Sequence, residues 1–351
     1  SEQICMDQHT TTRALHLYPF GNTPLHPELI KSFFVQQTQQ KSCGEPEFLA
    51  VEGRSEIYKL RGENQDYIVK RPLSCLSLGP LFVPVCQQQY AHTAGDRYRI
   101  EKAAYQSCQS NVLLGTDDFH QLFLLRTAEQ KIIEEGDLSS INSFLIKSTA
   151  PLDAGTPKLF LDILRCSDVD ALDGIERLLG QLSNTFTDFY FAPSGIFLPY
   201  LGWRIAPHML QYNSDRMGTT DMVRLRRICD IFQSKTVFPQ LQQLREINAD
   251  TALHHIMRID DHWEVFDREH RTIGTPENQV ASFLFSLFVR DSQFSQNWGG
   301  VFEENCPEGC NYNELLAALS YRLFYDAVMH AVLRDTAIEP YLQALEGLMA
   351  K

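Results

Sequence analysis

Residues 248–271, "NADTALHHIMRIDDHWEVFDREHR", gather carboxylates and imidazoles around two short apolar runs. The runs alternate apolar and polar residues and are separated by Asp260 and Asp261, a pattern typical of a β-hairpin. Asp250 precedes this hairpin and Asp267 ends it. Carboxylates at both open ends of a hairpin can hold a divalent cation between them. The segment is therefore a candidate metal site, although a charged surface hairpin has the same composition.

Histidines in this segment raise the alternative of a zinc site. We expect His254 and His255 to lie on a strand, where neighbouring side chains point to opposite faces and cannot readily share one ion. The cysteines of "CPEGC" at residues 306–310 have the wrong spacing for a zinc knuckle and no second pair. We therefore expect neither group to bind zinc.

The predicted secondary structure around the hairpin changes along the chain from strands to helices. Residues 48–52, 55–61 and 66–70 alternate apolar side chains and predict an antiparallel meander. A helix is expected in "DRYRIEKAAYQSCQ", followed by strands in "HQLFLLRT" and "QKIIEEGDL". After residue 139 the helical period dominates, in "DALDGIERLLGQLSNTFTDFYF", "DMVRLRRICDIFQSKTVFPQLQQLREI", "ENQVASFLFSLFVRDSQF" and "YNELLAALSYRLFYDAVMHAVL".

Strands first and helices later predict the α+β class, with a small antiparallel-sheet lobe and a larger, mainly helical lobe. We assign residues 1–45 to an N-terminal extension with one helix across "HPELIKSFFVQQTQQ". Residues 46–138 would form the sheet-bearing lobe, and residues 139–351 the helical lobe that contains the hairpin.

Composition narrows the class of protein. The chain has 351 residues and a net charge of −13, which argues against broad electrostatic binding to nucleic acid. No apolar stretch is long enough for a membrane span, and the first residues lack the order of a signal peptide. Nine cysteines at irregular spacing favour reduced thiols. We expect a cytoplasmic protein.

Together with residues upstream, the hairpin resembles the protein-kinase-like superfamily, which includes the aminoglycoside phosphotransferases. In that superfamily the catalytic Asp is followed five residues later by a metal-binding Asn and, after a short hairpin, by the Asp of the DFG motif. Asp250, His255 and Asp267 match these positions. Lys70 in "DYIVK" matches the lysine at the end of the third strand, and Glu101 in "YRIEKAAY" matches its partner on the next helix. "KIIEEGDLSS" resembles the hinge behind the adenine.

Departures from the superfamily pattern narrow this resemblance. His255 replaces the Asn, "DRE" replaces DFG, and Asp250 is not preceded by His-Arg or His-Gly. Kinases of lipopolysaccharide core sugars and the InaA-like proteins also carry a His at this position and a residue other than Phe after the metal-binding Asp. The chain is thus similar to that branch. Its phosphate-covering loop retains only Gly53, so Ser55 or Arg54 would contact phosphate instead.

The resemblance implies a bilobal kinase fold that uses ATP with Mg²⁺ or Mn²⁺. Lys70, held by Glu101, would grip the nucleotide phosphates, and Asp267 would bind the metal. Asp250 would orient the acceptor hydroxyl and accept its proton. His255 would either join the metal ligands or hydrogen-bond Asp250 and leave the metal to Asp267.

The implied acceptor is a hydroxyl on a lipopolysaccharide-core sugar or another glycoconjugate. Such a glycolipid acceptor would bring the enzyme into peripheral contact with the inner face of a membrane. Two alternatives stay open. The chain is either a divergent protein kinase that acts on Ser, Thr or Tyr, or a pseudokinase that serves as a binding or regulatory module.

Overall fold

A computed structural model of the chain describes residues 24–40, 44–52, 55–76, 91–127, 134–290, 306–334 and 337–351. These residues form two compact units: the first contains the described residues up to 76 together with 91–127, and the second contains those from 134 onward. The first unit carries a five-stranded antiparallel sheet, and the second is mainly helical. The α+β class expected from the sequence is confirmed.

The first unit is built around a sheet with the strand order β1-β2-β3-β7-β6. Its strands are β1 (Glu47–Glu52), β2 (Ser55–Arg61), β3 (Asp66–Pro72), β6 (Leu113–Asp117) and β7 (Leu122–Arg126). The short strands β4 (Cys75–Leu76) and β5 (Ala91–His92) pair with each other. Helices α1 (Pro27–Thr38) and α2 (Ala94–Ser107) complete the unit. The meander, both helices and the strand in "HQLFLLRT" are confirmed.

The edge strand of the sheet differs from the prediction. The first four residues of the strand expected in "QKIIEEGDL", 130–133, lie outside the described residues, and its described end contains a 3₁₀ turn at Glu135–Asp137. Strand β7 pairs with β3 on one side, and its outer neighbour is β6, which the sequence pattern did not reveal. "KIIEEGDLSS", the predicted hinge, therefore falls partly outside the described residues.

Alternation along β3 and β7 separates the two faces of the sheet. Tyr67, Val69, Leu122 and Leu124 pack in one buried cluster with residues of α1. Phe123 points to the other face, where its ring lies 4.8 Å from that of Tyr98 on α2. The sheet is thus covered by α1 on one face and by α2 on the other.

The second unit contains eight helices within its described residues. They are α3 (Leu138–Lys147), α4 (Thr156–Arg165), α5 (Leu172–Thr185), α6 (Pro199–Tyr212), α7 (Thr219–Lys235), α8 (Pro276–Arg290), α9 (Tyr312–Val332) and α10 (Ile338–Met349). Helix α7 was expected to continue toward residue 247, and this was wrong, because extended backbone begins at Thr236 and Pro239 follows. None of the helices in the described parts of the chain combines the length and apolar character that a membrane crossing requires.

Two short strand pairs interrupt the helices of the second unit. Strand β8 (Arg245–Asn248) pairs with β11 (Arg271–Gly274), and between them β9 (Ile256–Ile259) pairs with β10 (His262–Val265). Asp260 and Asp261 join β9 to β10 with φ angles of 47° and 65°, as a two-residue I′ turn requires. The predicted hairpin is confirmed, and it is nested inside an outer strand pair. The nesting creates two loops, 249–255 and 266–270.

Candidate functional site

In the first unit, the structure brings Lys70 and Glu101 together. Lys70 lies on β3 and its Nζ donates to Glu101 Oε1 on α2 at 2.8 Å. The side chains are 6% and 0% exposed. Two opposite charges buried at this distance hold each other in a fixed geometry. The pairing expected from the resemblance is therefore present in the fold.

The predicted phosphate-contacting residues lie at the start of β2. Gly53 and Arg54 are outside the described residues. Ser55 is 2% exposed, and its hydroxyl has no hydrogen-bond partner among the residues that the structure describes. Its contact with phosphate stays a prediction.

In the second unit, Asp250 and Asp267 occupy the two loops of the nested strands. Asn248, at the end of β8, connects these loops: its Nδ2 donates to the main-chain carbonyl of Asp250 at 3.2 Å and to that of Asp267 at 2.7 Å. Asn248 is 3% exposed, so these bonds are shielded from water. One buried amide thus fixes the spacing of the loops that carry the two candidate carboxylates.

Helix α8 holds loop 249–255 through a row of polar side chains. Gln279 Oε1 accepts from the main-chain N–H of Asn248 at 2.6 Å, and two serine hydroxyls accept from the next free N–H groups. The serine bonds join Ser282 Oγ to Thr251 N at 2.9 Å and Ser286 Oγ to Leu253 N at 2.8 Å. Side chains of the helix behind the loop therefore satisfy two of its main-chain donors, those of Thr251 and Leu253, and the last donor of β8.

The polar row on α8 was missed in the sequence. Its residues are spaced i, i+3 and i+7, so they share one face of a helix. A row of Gln and Ser inside the apolar run "NQVASFLFSLF" is the signal that could have found it. Gln279 and Ser282 are buried, whereas polar residues at such spacing would ordinarily face solvent.

The structure places His255 beside Asp267, with Nε2 3.8 Å from Asp267 Oδ2. Its other ring nitrogen, Nδ1, lies 3.2 Å from the carbonyl oxygen of Asp250 and 3.4 Å from the N–H of Ala252. If Nδ1 carries the proton and donates to Asp250 O, Nε2 has a free lone pair toward Asp267. If Nδ1 accepts from Ala252, the proton sits on Nε2 and blocks that lone pair. The tautomer decides whether His255 can bind a metal.

The expected position of His254 and His255 on a strand was wrong. Leu253–His255 forms a 3₁₀ turn, and β9 begins only at Ile256. The two imidazole rings consequently lie on the same side, with centroids 4.0 Å apart. The argument that they point to opposite faces therefore fails.

Around Asp250 the structure adds an imidazole that the sequence did not assign to catalysis. His270 Nδ1 lies 3.8 Å from Asp250 Oδ2, and its ring packs edge-on against Tyr190 at 5.2 Å. The carboxylate of Asp250 is 44% exposed. It is therefore the candidate carboxylate that an acceptor molecule can reach from solvent.

The side chains that could hold a divalent cation in this unit are those of Asp267 and His255. Two ligand atoms 3.8 Å apart can both bind one cation at about 2.1 Å from each. Both side chains are partly buried, at 29% and 13% exposure. One imidazole and one carboxylate suit Mn²⁺ better than Mg²⁺, which prefers an all-oxygen shell.

No protein-family model matches the chain, and neither does any curated protein. Solved structures do resemble it. They include spectinomycin phosphotransferase bound to AMP (10% identity, 93% of this chain and 99% of that chain, TM-score 0.49) and a thermostable aminoglycoside phosphotransferase mutant with AMP-PNP and hygromycin B (13%, 92% and 98%, 0.49). A third is a choline kinase from Streptococcus pneumoniae (12%, 92% and 99%, 0.43). These TM-scores lie below 0.5, so a function for this chain must be argued from its own residues.

Proposed function

We propose that this chain is a phosphotransferase that moves the terminal phosphoryl group of ATP to a hydroxyl. One observation carries the proposal. The buried amide of Asn248 fixes the loop of Asp250, a solvent-accessible carboxylate, relative to the loop of Asp267, whose carboxylate lies beside His255. A base and a metal-binding group held at constant spacing are what phosphoryl transfer requires, because the protein contributes mainly positioning and charge stabilisation.

The first unit contributes the nucleotide-binding part of this proposal. The ammonium of Lys70 is held by Glu101 in one orientation, so it can meet phosphate oxygens without first losing conformational freedom. A compact ammonium is a point charge suited to polyphosphate. In a chain of net charge −13, such a local cation is necessary to attract a nucleotide.

The second unit contributes the transfer chemistry. Asp250 accepts a hydrogen bond from the acceptor hydroxyl and takes its proton as the oxygen attacks phosphorus. Asp267 and His255 would hold a divalent cation, which when bound neutralises charge on the phosphate oxygens. His270, 3.8 Å from Asp250, lies where it can relay the proton onward or hold the carboxylate in place.

For the acceptor we propose a sugar hydroxyl on a lipopolysaccharide core or another glycoconjugate. The support is the residue pattern alone: a His five residues after Asp250 and an Arg after Asp267. Incubation of the full chain with Mg²⁺ or Mn²⁺ and labelled ATP, together with core oligosaccharides, aminoglycosides or Ser/Thr/Tyr peptides, separates the acceptor classes. Label transfer to peptides alone would replace the sugar proposal with the protein-kinase alternative.

A binding module without catalysis is the second candidate, and the position of His255 favours it. When Nδ1 accepts from Ala252 at 3.4 Å, Nε2 carries a proton toward Asp267 and opposes a metal ion there. Replacement of this side chain tests the idea. His255→Asn supplies an oxygen ligand, so an active enzyme should keep turnover and shift its preference from Mn²⁺ toward Mg²⁺. A chain inactive in both forms would favour the binding module.

Thermal unfolding with and without ATP and metal tests the main proposal. ATP with Mn²⁺ should raise the melting temperature of the wild type, and Lys70→Ala and Asp267→Ala should lose most of that rise. Asp250→Ala should keep the rise and lose ATP turnover. Asp173→Ala, which removes an exposed carboxylate of α5, is the matched control and should behave as wild type.

The two contradicting results are distinct. If ATP causes no rise in melting temperature in the wild type, nucleotide binding itself is refuted. If turnover persists undiminished in Asp250→Ala, the base has been assigned to the wrong residue.

A further inference from the structure

Arg322 lies in the middle of α9, on a helix whose other buried residues are mainly apolar. It is 7% exposed, and its Nη2 donates to the main-chain carbonyl of Ala249, the residue directly before Asp250. Its Nε is also buried and has no hydrogen-bond partner within the described parts of the chain. Within the residues that the structure describes, the one hydrogen bond of this buried guanidinium goes to the loop of Asp250, and this arrangement needs an explanation.

Electrostatics connect this guanidinium to Asp250. Burial lowers the pKa of Arg322 to about 10, and the negative charge of Asp250 is the strongest of the effects that oppose this. Tyr321 and Asp326 act in the same direction. Burial raises the pKa of Asp326, so it is a weaker counter-charge than a solvent-accessible carboxylate. Asp250 is therefore the main electrostatic partner of Arg322.

Folding stability does not explain why a charge is retained at this position. A guanidinium loses most of its hydration when it is buried, and apolar side chains of similar volume often stabilise a protein as well or better. The neighbouring positions Leu319 and Leu323 on the same helix are fully buried and apolar. The position is thus suited to an apolar side chain, and the charge is better explained by what it does to the loop.

We propose that Arg322 is a positioning residue for Asp250, and this inference rests on the proposed role of Asp250 as the base. The carbonyl of Ala249 and the N–H of Asp250 belong to one planar peptide unit. A hydrogen bond to that carbonyl therefore stops rotation of the unit that leads into Asp250. Helix α8 holds the loop's N–H groups, and α9, through Arg322, holds this carbonyl.

Such a role predicts a change in turnover without a change in nucleotide affinity. Arg322 acts through Asp250 and not through Lys70, so the KM for ATP should stay within about twofold while kcat falls. A catalytic group displaced by about 1 Å can lose roughly a hundredfold in rate. We expect kcat of ATP hydrolysis to fall about tenfold to a hundredfold in Arg322→Met.

The experiment compares the full-length wild type with Arg322→Met, Arg322→Lys and Ser320→Ala. Met has a similar volume and removes the charge and the donors, whereas Lys keeps a cation and a donor and should recover part of the lost kcat. Ser320→Ala is the control, because the partners of the Ser320 hydroxyl among the described residues are carbonyls of its own helix. It should leave kcat and KM unchanged.

Hydrogen exchange provides a readout that does not depend on turnover. The amide of Thr251 donates to Ser282 Oγ in the loop that Arg322 holds, so loss of the hydrogen bond from the charged donor should speed exchange at this amide about tenfold in Arg322→Met. Exchange in α9 and α8 should stay as in the wild type. Faster exchange throughout α9 would show a general structural role and overturn the proposal.

The outcomes separate this inference from the proposed function. Unchanged exchange at the amide of Thr251, or an unchanged kcat in Arg322→Met, overturns the role of Arg322. Absence of ATP turnover in the wild type, or turnover insensitive to Asp250→Ala, overturns the proposed function. The exchange measurement still decides in that case whether Arg322 holds the loop.

Discussion

Removing one member of the buried pair Lys70–Glu101 should destabilise the first unit far more than removing both. Glu101→Leu leaves the ammonium of Lys70, 6% exposed, without its carboxylate at 2.8 Å. Breaking a buried ion pair in this way costs about 3–5 kcal/mol, whereas replacement of both charges by apolar residues is often neutral or better. The double variant Lys70→Met/Glu101→Leu should therefore recover most of the free energy of unfolding.

The loss of stability in Glu101→Leu can be measured as a fall in melting temperature. At about 4–5 °C for each kcal/mol in a unit of roughly 100 residues, Glu101→Leu lowers the melting temperature of the first unit by about 12–25 °C. All three tryptophans lie after residue 202, so their fluorescence reports on the second unit. Circular dichroism or calorimetry should be used instead. Lys59→Met is the matched control, because the Lys59–Asp66 pair has the same 2.8 Å length but is 36% and 31% exposed. It should cost at most about 1 kcal/mol.

Stability and nucleotide binding should separate in the double variant. It should melt close to the wild type but show no rise in melting temperature with ATP, because the phosphate-binding ammonium is gone. A double variant as unstable as Glu101→Leu would refute the reasoning about buried charge. A double variant that binds ATP like the wild type would refute the role of Lys70.

Three further predictions concern the second unit. Burial raises the pKa of Glu314 from 4.5 to about 7, so its contribution to stability is full below pH 4.5 and is lost as the pH rises through 7. Glu314→Gln should thus raise the free energy of unfolding by up to about 3 kcal/mol at pH 8 and should change it little at pH 4.5. Equal shifts of the urea midpoint at both pH values would contradict this. Asn248→Leu leaves the carbonyls of Asp250 and Asp267 without their shared donor. The free energy of unfolding, measured in urea, should fall by about 2 kcal/mol or more, and turnover should fall as well. Turnover equal to that of the wild type would argue against the link between the loops. Asp261→Gly, at a φ of 65°, should raise stability by about 0.5–1 kcal/mol in the same assay, since glycine adopts this conformation without strain.

The sequence was sufficient to predict those elements whose formation depends on local interactions. The meander and the hairpin follow from a two-residue alternation of apolar side chains, which each strand shows by itself. Strand β6 has no such alternation. A register shift occurs between Leu113 and Gly115, and a Cβ at Gly115 would lie 2.1 Å from the side chain of Gln37 on α1. That strand depends on a close approach by a helix far away in sequence, so a local pattern could not reveal it.

The same distinction holds at the candidate site. The grouping of Asp250, His255 and Asp267 could be predicted from the sequence, because one hairpin brings the three residues together. The roles of Asn248 and Arg322 could not be predicted. Asn248 joins the two loops to each other, and Arg322 joins one of them to a helix 73 residues away. A polar residue in an apolar helix looks the same in sequence whether it faces solvent or holds a loop. The tertiary partner distinguishes the two cases.

Helix α1 has a practical consequence for work on the isolated first unit. It covers a sheet face whose buried residues include Tyr58, Leu60, Tyr67 and Val69, and Leu25 just before it donates its N–H to the buried Glu56. A shortened chain that starts at residue 46, where the sequence suggests that the sheet-bearing part begins, would expose this apolar face to water. Such a surface invites self-association. Fragments meant for ligand screening should therefore retain residue 24 and everything after it.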